Sequence, residues 1–222
     1  MRLISLVPAA LILCLSTPAV AQEWIEYTSR ADLFTVNFPG EPAVREITYP
    51  TEYGLTLPGR VHSATEGRNR YAVTVVDYSN VQKLHTARLA NCDKYPNLCA
   101  NPWVGELRGA MDFAAGAFLR RSAKVTDYAY SQTERIEGRR MQLLNPDGTQ
   151  TFVMIHMHEN RLYLLEGTVA AGMPPPGLFQ QSLGFVDKDE FRVRYDTPYS
   201  NAYPAPPRVQ YEGMPSQGPP AR

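Results

Sequence analysis

The sequence predicts an α+β fold, an antiparallel β-sheet with one main helix over about 102–121 and a short C-terminal helix packed on it. Three observations lead there. Leu33-Phe34-Thr35-Val36-Asn37-Phe38 alternates with the period of two that a half-buried strand requires. From Trp103, apolar residues return at Leu107, Met111, Ala114 and Phe118, the spacing of one helical face. Asn145-Pro146-Asp147-Gly148 carries the residues preferred in a type I turn and lies between two apolar runs. Strands gathered on either side of a single helix define the class.

Taken in order, the 222-residue chain begins with one charged residue, Arg2, an apolar run from Leu3 to Leu15, and Ala19-Val20-Ala21. That pattern predicts a secretory signal cleaved after Ala21, and so a periplasmic or secreted protein. A membrane-spanning helix needs roughly 20 apolar residues, more than this run supplies, and the mature chain is expected to have no transmembrane segment. Trp24–Thr28 is a weak strand candidate, and the strong strand 33–38 is stopped by Pro39-Gly40. Val44–Tyr49 and Leu57–Ala64 are further candidates. Tyr71–Asp77, rich in β-branched residues, follows the polar turn Glu66-Gly67-Arg68-Asn69.

Asn101 can cap the helix, Pro102 suits its first turn, and Arg120-Arg121 complement its C-terminal dipole. Trp103, Leu107, Met111 and Phe118 are expected to face a sheet. The type I turn joins 141–144 to 151–158, and Glu159-Asn160 returns the chain into 161–168, making a three-stranded meander. Pro174-Pro175-Pro176 ends it, a short helix is expected near Gly177–Ser182, and Phe191–Tyr195 alternates like a closing strand. Residues 196–222 hold seven of the 19 prolines and no Leu, Ile or Phe, too little apolar surface to offset ordering entropy. The expected organisation is a signal over 1–21, one domain over 22–195 and a disordered tail over 196–222.

Trp24-Ile25-Glu26-Tyr27-Thr28-Ser29, then Leu33 to Pro42, resembles the opening of exported bacterial proteins of the Mog1/PsbP-like fold group. Leu162-Tyr163-Leu164, followed by Leu178 to Phe185, is similar to that group's closing strand and helix. The likeness runs over about 24–187 in element order, with no counterpart for 79–102. It implies an accessory or interaction protein, since families on that fold include an extrinsic photosystem II subunit and a regulator of a nuclear-transport GTPase. It transfers no catalytic residue.

Lys and Arg total 22 and so do Asp and Glu, which gives no charge excess for nucleic acid or an anionic membrane. Cys14 leaves with the signal, so Cys92 and Cys99 form an even pair in an oxidising compartment and are expected to be bridged. The six residues between them include no histidine and match no metal or redox spacing. His156-Met157-His158 is the most chemical string in the chain. Two residues apart on a strand, the imidazoles share a face and could converge on a metal, with Glu159, His62 or His85 completing the shell. Phe152 and Met154 share that face too, so His156 also reads as a core residue, and His158 beside the turn reads as solvated.

Asp187-Lys188-Asp189-Glu190 lacks the Gly and late Glu of a calcium loop and reads as a polar turn. There is no Gly-x-Ser-x-Gly, no Gly-x-Gly-x-x-Gly and no Lys-bearing phosphate loop. Tyr195, Tyr199, Tyr203 and Tyr211 among prolines suit extended docking on a partner. The expectation is an exported, non-catalytic binding or accessory protein with a protein partner in the periplasm and no cofactor. The alternative is a metal-binding protein or metal-dependent hydrolase using His156 and His158.

Overall fold

The computed structural model describes residues 23–89, 102–201 and 203–209. In chain order the elements are β1 (Trp24–Ser29), β2 (Phe34–Pro39), β3 (Ala43–Pro50), β4 (Thr56–Glu66), β5 (Asn69–Asp77), α1 (Val81–Leu89) and α2 (Trp103–Leu119). Then come β6 (Lys124–Thr133), β7 (Ile136–Leu144), β8 (Gln150–His158), β9 (Arg161–Val169), α3 (Gly177–Gln180) and β10 (Gly184–Phe185). Two sheets result: a seven-stranded antiparallel one, ordered β3-β4-β5-β9-β8-β7-β6, and a three-stranded one, ordered β1-β2-β10.

The α+β expectation is thereby corrected to a β-rich fold, 48% strand and 17% helix, with two sheets and only small helices. The alternation of β2 marks a strand correctly but is silent on which sheet it joins. Its partners are β1 and, 150 residues away in the chain, β10, where Thr35 faces Gly184 and Phe34 faces Phe185. β6 has no strong sequence signal because it is the outer edge of the large sheet, with alternate residues open to solvent. α1 buries only Val81 and His85, too little to show a helical stripe.

The layers follow from period two. Along β9, Leu162 points to the core under α2 while Tyr163 and Leu165 point to the core under the small sheet. A central strand buried on both faces therefore reads as a continuous apolar run. Leu107, Ala110, Ala114 and Phe118 of α2 pack on Met141, Leu143, Val153 and Ile155. Trp103 and Met111, expected to be inward, are only partly buried and rim this core. Pro102 takes the N-cap position without a side-chain cap hydrogen bond, and Asn101 lies outside the described residues. On the opposite face Phe34, Val36 and Phe38 meet Phe179, Phe185, Tyr195 and Tyr199.

Phe191–Tyr195 is not the expected strand. It makes only the isolated bridges Val186 to Arg192 and Tyr195 to Arg208. Its alternation still works, since Val193 and Tyr195 are buried and Arg192 and Arg194 face out. Residues 196–201 and 203–209, assigned by composition to the tail, lie on the domain as a strap. Tyr199 N–H donates to the Arg135 carbonyl at 2.9 Å, and Val209 N–H donates to the Arg194 carbonyl at 2.8 Å. Among the described residues no helix is long and apolar enough to cross a membrane.

Candidate functional site

The paired histidines share one face of β8, as their spacing predicts, but their surroundings differ from those expected. His156 is 0% and His158 is 1% exposed, so His158 is not solvated. Phe185 of β10 lies against each ring, and Tyr199 of the strap also covers His158. His156 Nδ1–H donates to the Glu137 carbonyl at 3.2 Å, which leaves Nε2 to accept the Thr133 hydroxyl at 3.2 Å. His158 Nε2 and the Tyr195 hydroxyl share a hydrogen bond of 2.8 Å. Burial pushes His156 down to about 4 and His158 down to about 3, so both rings are neutral at physiological pH. Neither has Glu159, His62 or His85 among its hydrogen-bond partners.

Those other residues sit in separate networks. His62 Nε2–H donates to Asp32 at 2.8 Å, and its Nδ1 meets the Tyr27 hydroxyl at 3.1 Å. Arg60 grips the same carboxylate through Nε at 2.8 Å and Nη2 at 2.5 Å. Burial works to raise Asp32, but the hydrogen bonds and charges of His62 and Arg60 outweigh it and hold the carboxyl at about 2. This network ties the small sheet to β4. His85 on α1 is hydrogen-bonded to Glu106 on α2, both buried, and pins the two helices together. Glu159 pairs with Arg208 of the strap at 2.5 Å. Among the described residues no group of three or more His, Cys, Asp or Glu could hold a metal ion. Cys92 and Cys99 lie outside the described residues.

Asp187 Oδ1 accepts the backbone N–H groups of Asp189 and Phe191 at 2.9 and 3.0 Å, the polar turn expected of 187–190. Of the tail tyrosines, Tyr195 and Tyr199 stack on each other inside the domain, 4.8 Å between ring centroids. Tyr203 is exposed with the Arg108 guanidinium 4.2 Å from its ring centre, and Tyr211 lies outside the described residues.

Among the described residues a polar concavity lies elsewhere. A cleft of about 500 Å³ opens where the β6–β7–β8 end of the large sheet runs out beyond the small sheet. Ser131 and Thr133 of β6, Arg140 of β7 and Met154 of β8 form one wall. Gln180, Gln181, Leu183, Arg192 and Arg194 form the other. Glu134 closes one end from the two-residue β6–β7 turn. Its φ is 51° and that of Arg135 is 67°, the left-handed pair of a type I′ hairpin held here by two non-glycine residues.

The Glu134 Oε1 atom accepts from Arg194 Nε at 3.2 Å and faces Arg192 Nε at 3.4 Å, while Oε2 is buried with no hydrogen-bond partner. Arg192 is seated by Gly184, where a Cβ would run into its guanidinium. Arg140 is offset by Asp127 at 3.0 Å. Arg192 and Arg194 thus converge on Glu134.

Sequence reasoning passed over this site. Its one signal was the alternation of 191–195, which places Arg192 and Arg194 together on an outer face; nothing in the sequence brings Glu134, about 60 residues earlier, beside them. The chain matches no known protein family, and no curated protein is significantly similar to it in sequence.

Proposed function

We propose that this is an exported, non-catalytic binding protein whose recognition site is the cleft between β6–β8 and the 180–194 segment. One observation carries the reading. All four histidines, His62, His85, His156 and His158, are buried and joined to neighbouring groups, whereas the cleft presents polar side chains of β6, β7 and the 180–194 segment to one concavity. Reactive sites need a general base within reach of a substrate, and these imidazoles are buried. The signal-like N-terminus and the resemblance of 24–29 and 33–42 to exported accessory proteins support the same role. Cys92 and Cys99, read as a disulfide, belong with export.

The test uses mature protein, residues 22–222, incubated with a small-molecule extract of the periplasm and analysed by native mass spectrometry beside the R192Q/R194Q double variant. A bound, unaltered species that the variant loses is the expected result. Conversion of a component to product overturns the reading. So does a stoichiometric metal present in chelator-free protein and absent from the His156→Ala/His158→Ala variant.

A further inference from the structure

We propose that two copies of this chain join along β6 as a two-fold dimer, each copy's edge strand pairing antiparallel with the other's. The pairing goes beyond the cleft reading and does not depend on what the cleft binds. β6 ends the large sheet, with β7 on its inner side. Among the described residues no strand and no further backbone hydrogen bond occupies its outer side. A row of alternating N–H and C=O groups is matched by another extended chain.

The two edges of this sheet differ. β3, the opposite edge, carries the exposed neighbours Arg45 and Glu46 and closes on Pro50, the charges and proline with which edge strands resist pairing. In β6 the bulge between Val125 and Asp127 shields only its beginning. From Tyr128 to Thr133 the strand has no charge, no proline and no glycine. Asp127, the one charge in the bulge-free stretch 127–133, is paired with Arg140 of its own chain.

Side-chain pattern and register select a second copy. Val125 faces Leu143, Tyr128 faces Met141 and Tyr130 faces Arg139, and residues opposite each other share a face of the sheet. Leu143 and Met141 belong to the core under α2, and Arg139 pairs with Asp112 of that helix at 3.2 Å. Val125, Tyr128 and Tyr130 therefore form one row on the helix side. α2 packs over β7 and β8 and leaves that row 37%, 45% and 54% exposed. On its other face β6 is small or polar, with Ala129, Ser131 and Thr133.

An apolar row backed by a polar one is best met by a strand patterned the same way, and β6 is such a strand. Tyr130 is the midpoint of 127–133. Antiparallel pairing about a two-fold axis at Tyr130 uses the whole bulge-free stretch. Tyr130 then meets the partner's Tyr130, Tyr128 the partner's Gln132, Ala129 the partner's Ser131 and Asp127 the partner's Thr133. No like charges come opposite each other, and aromatic side chains meet across the strands. Each copy has one such edge, so the assembly closes as a dimer and does not grow into a fibre. Ser131 and Thr133 also line the cleft, so the partner's strand continues that wall.

Sedimentation of mature protein, residues 22–222, over about 1 to 100 μM should show a reversible dimer. Tyr130→Lys sets two ammonium groups opposite each other on the axis, and Tyr130→Glu sets two carboxylates there. Each alone should weaken dimerisation at least about tenfold. Mixed in equal amounts, the two variants should recover it, because position 130 of one copy meets position 130 of the other. Val44→Lys, on the β3 edge, should dimerise as the unaltered protein does. Melting curves check that every variant is folded. Should a Tyr130 variant fail to fold, Tyr128→Lys mixed with Gln132→Glu puts the same question to the neighbouring pair.

A protein that stays monomeric throughout that range overturns the proposal. A dimer that both Tyr130 variants retain also overturns it, since that dimer lies on another surface, and so does failure of the mixed variants to associate. A dimer seen only after removal of residues 210–222 overturns it as well, because the edge then belongs to the chain's own end.

Discussion

Gly138 shows how a single position sets the interior chemistry. It faces His156 across the β7–β8 ladder, and a Cβ there would lie 2.5 Å from the Ile155 carbonyl oxygen and against the imidazole. Only the bare backbone lets the ring reach the Glu137 carbonyl. The consequence is a neutral histidine held where water cannot reach it. His156 and His158, held near 4 and 3 in the fold, return to about 6.5 when the chain unfolds. Between those values the unfolded state binds more protons, so stability rises with pH and is lost as pH falls below 6.5. Two such groups give a limiting slope of about 2.7 kcal/mol per pH unit. Asp32 acts in the same direction lower down: its contribution is complete above its ordinary 3.8 and is lost as pH falls through about 2. Urea midpoints measured from pH 8 to pH 4 should therefore fall steeply below 6.5, and a flat profile from 7.5 to 5 would contradict neutral, buried rings.

Among elements, hairpins were the most legible and edges the least. The Glu159-Asn160 turn, with φ of 45° and 58°, and the Asn145–Gly148 turn, closed by Gly148 N–H to the Asn145 carbonyl at 3.0 Å, stand where their residues place them. Turn chemistry is local, so the sequence displays it. The Glu134-Arg135 turn carries no such sign, because neither residue favours positive φ. Backbone strain of this kind collects at functional sites, where other interactions sustain it. Arg135 is exposed and serves the strap through its backbone carbonyl, so Arg135→Gly should keep that bond and remove left-handed strain, raising stability by about 1 kcal/mol in denaturant unfolding. Unchanged or lower stability would show that the turn is relaxed as it stands.

The whole molecule is three layers: helices, a large sheet, and a small sheet sealed by the strap. The small sheet joins segments from opposite ends of the described chain, β1 and β2 with β10, which is why the fold class escaped a reading of local periods. Alternation in Phe34–Phe38 and apolar runs in 162–165 are visible in sequence, while the pairing of β2 with β10 is a long-range choice made by packing. The cleft escaped for the same reason, since Glu134 and Arg194 meet only through tertiary structure. Composition misled at the strap, where buried Tyr199, stacked on Tyr195, does the work that Leu or Ile does elsewhere. Ending the chain after residue 194 should abolish cooperative melting by uncovering His158 and Phe185. Cooperative melting at the full-length temperature would show the strap to be dispensable.

The pairing of β2 with β10 also dictates an order of events in time. A chain released N-terminus first holds Phe34, Val36 and Phe38 without their partners until Phe179, Phe185 and Tyr199 have emerged. Half of the interior cannot close on a partial chain. The large sheet and the core beneath α2 are complete once residue 169 is present, so it is the small-sheet half of the interior that waits for the C-terminal segment.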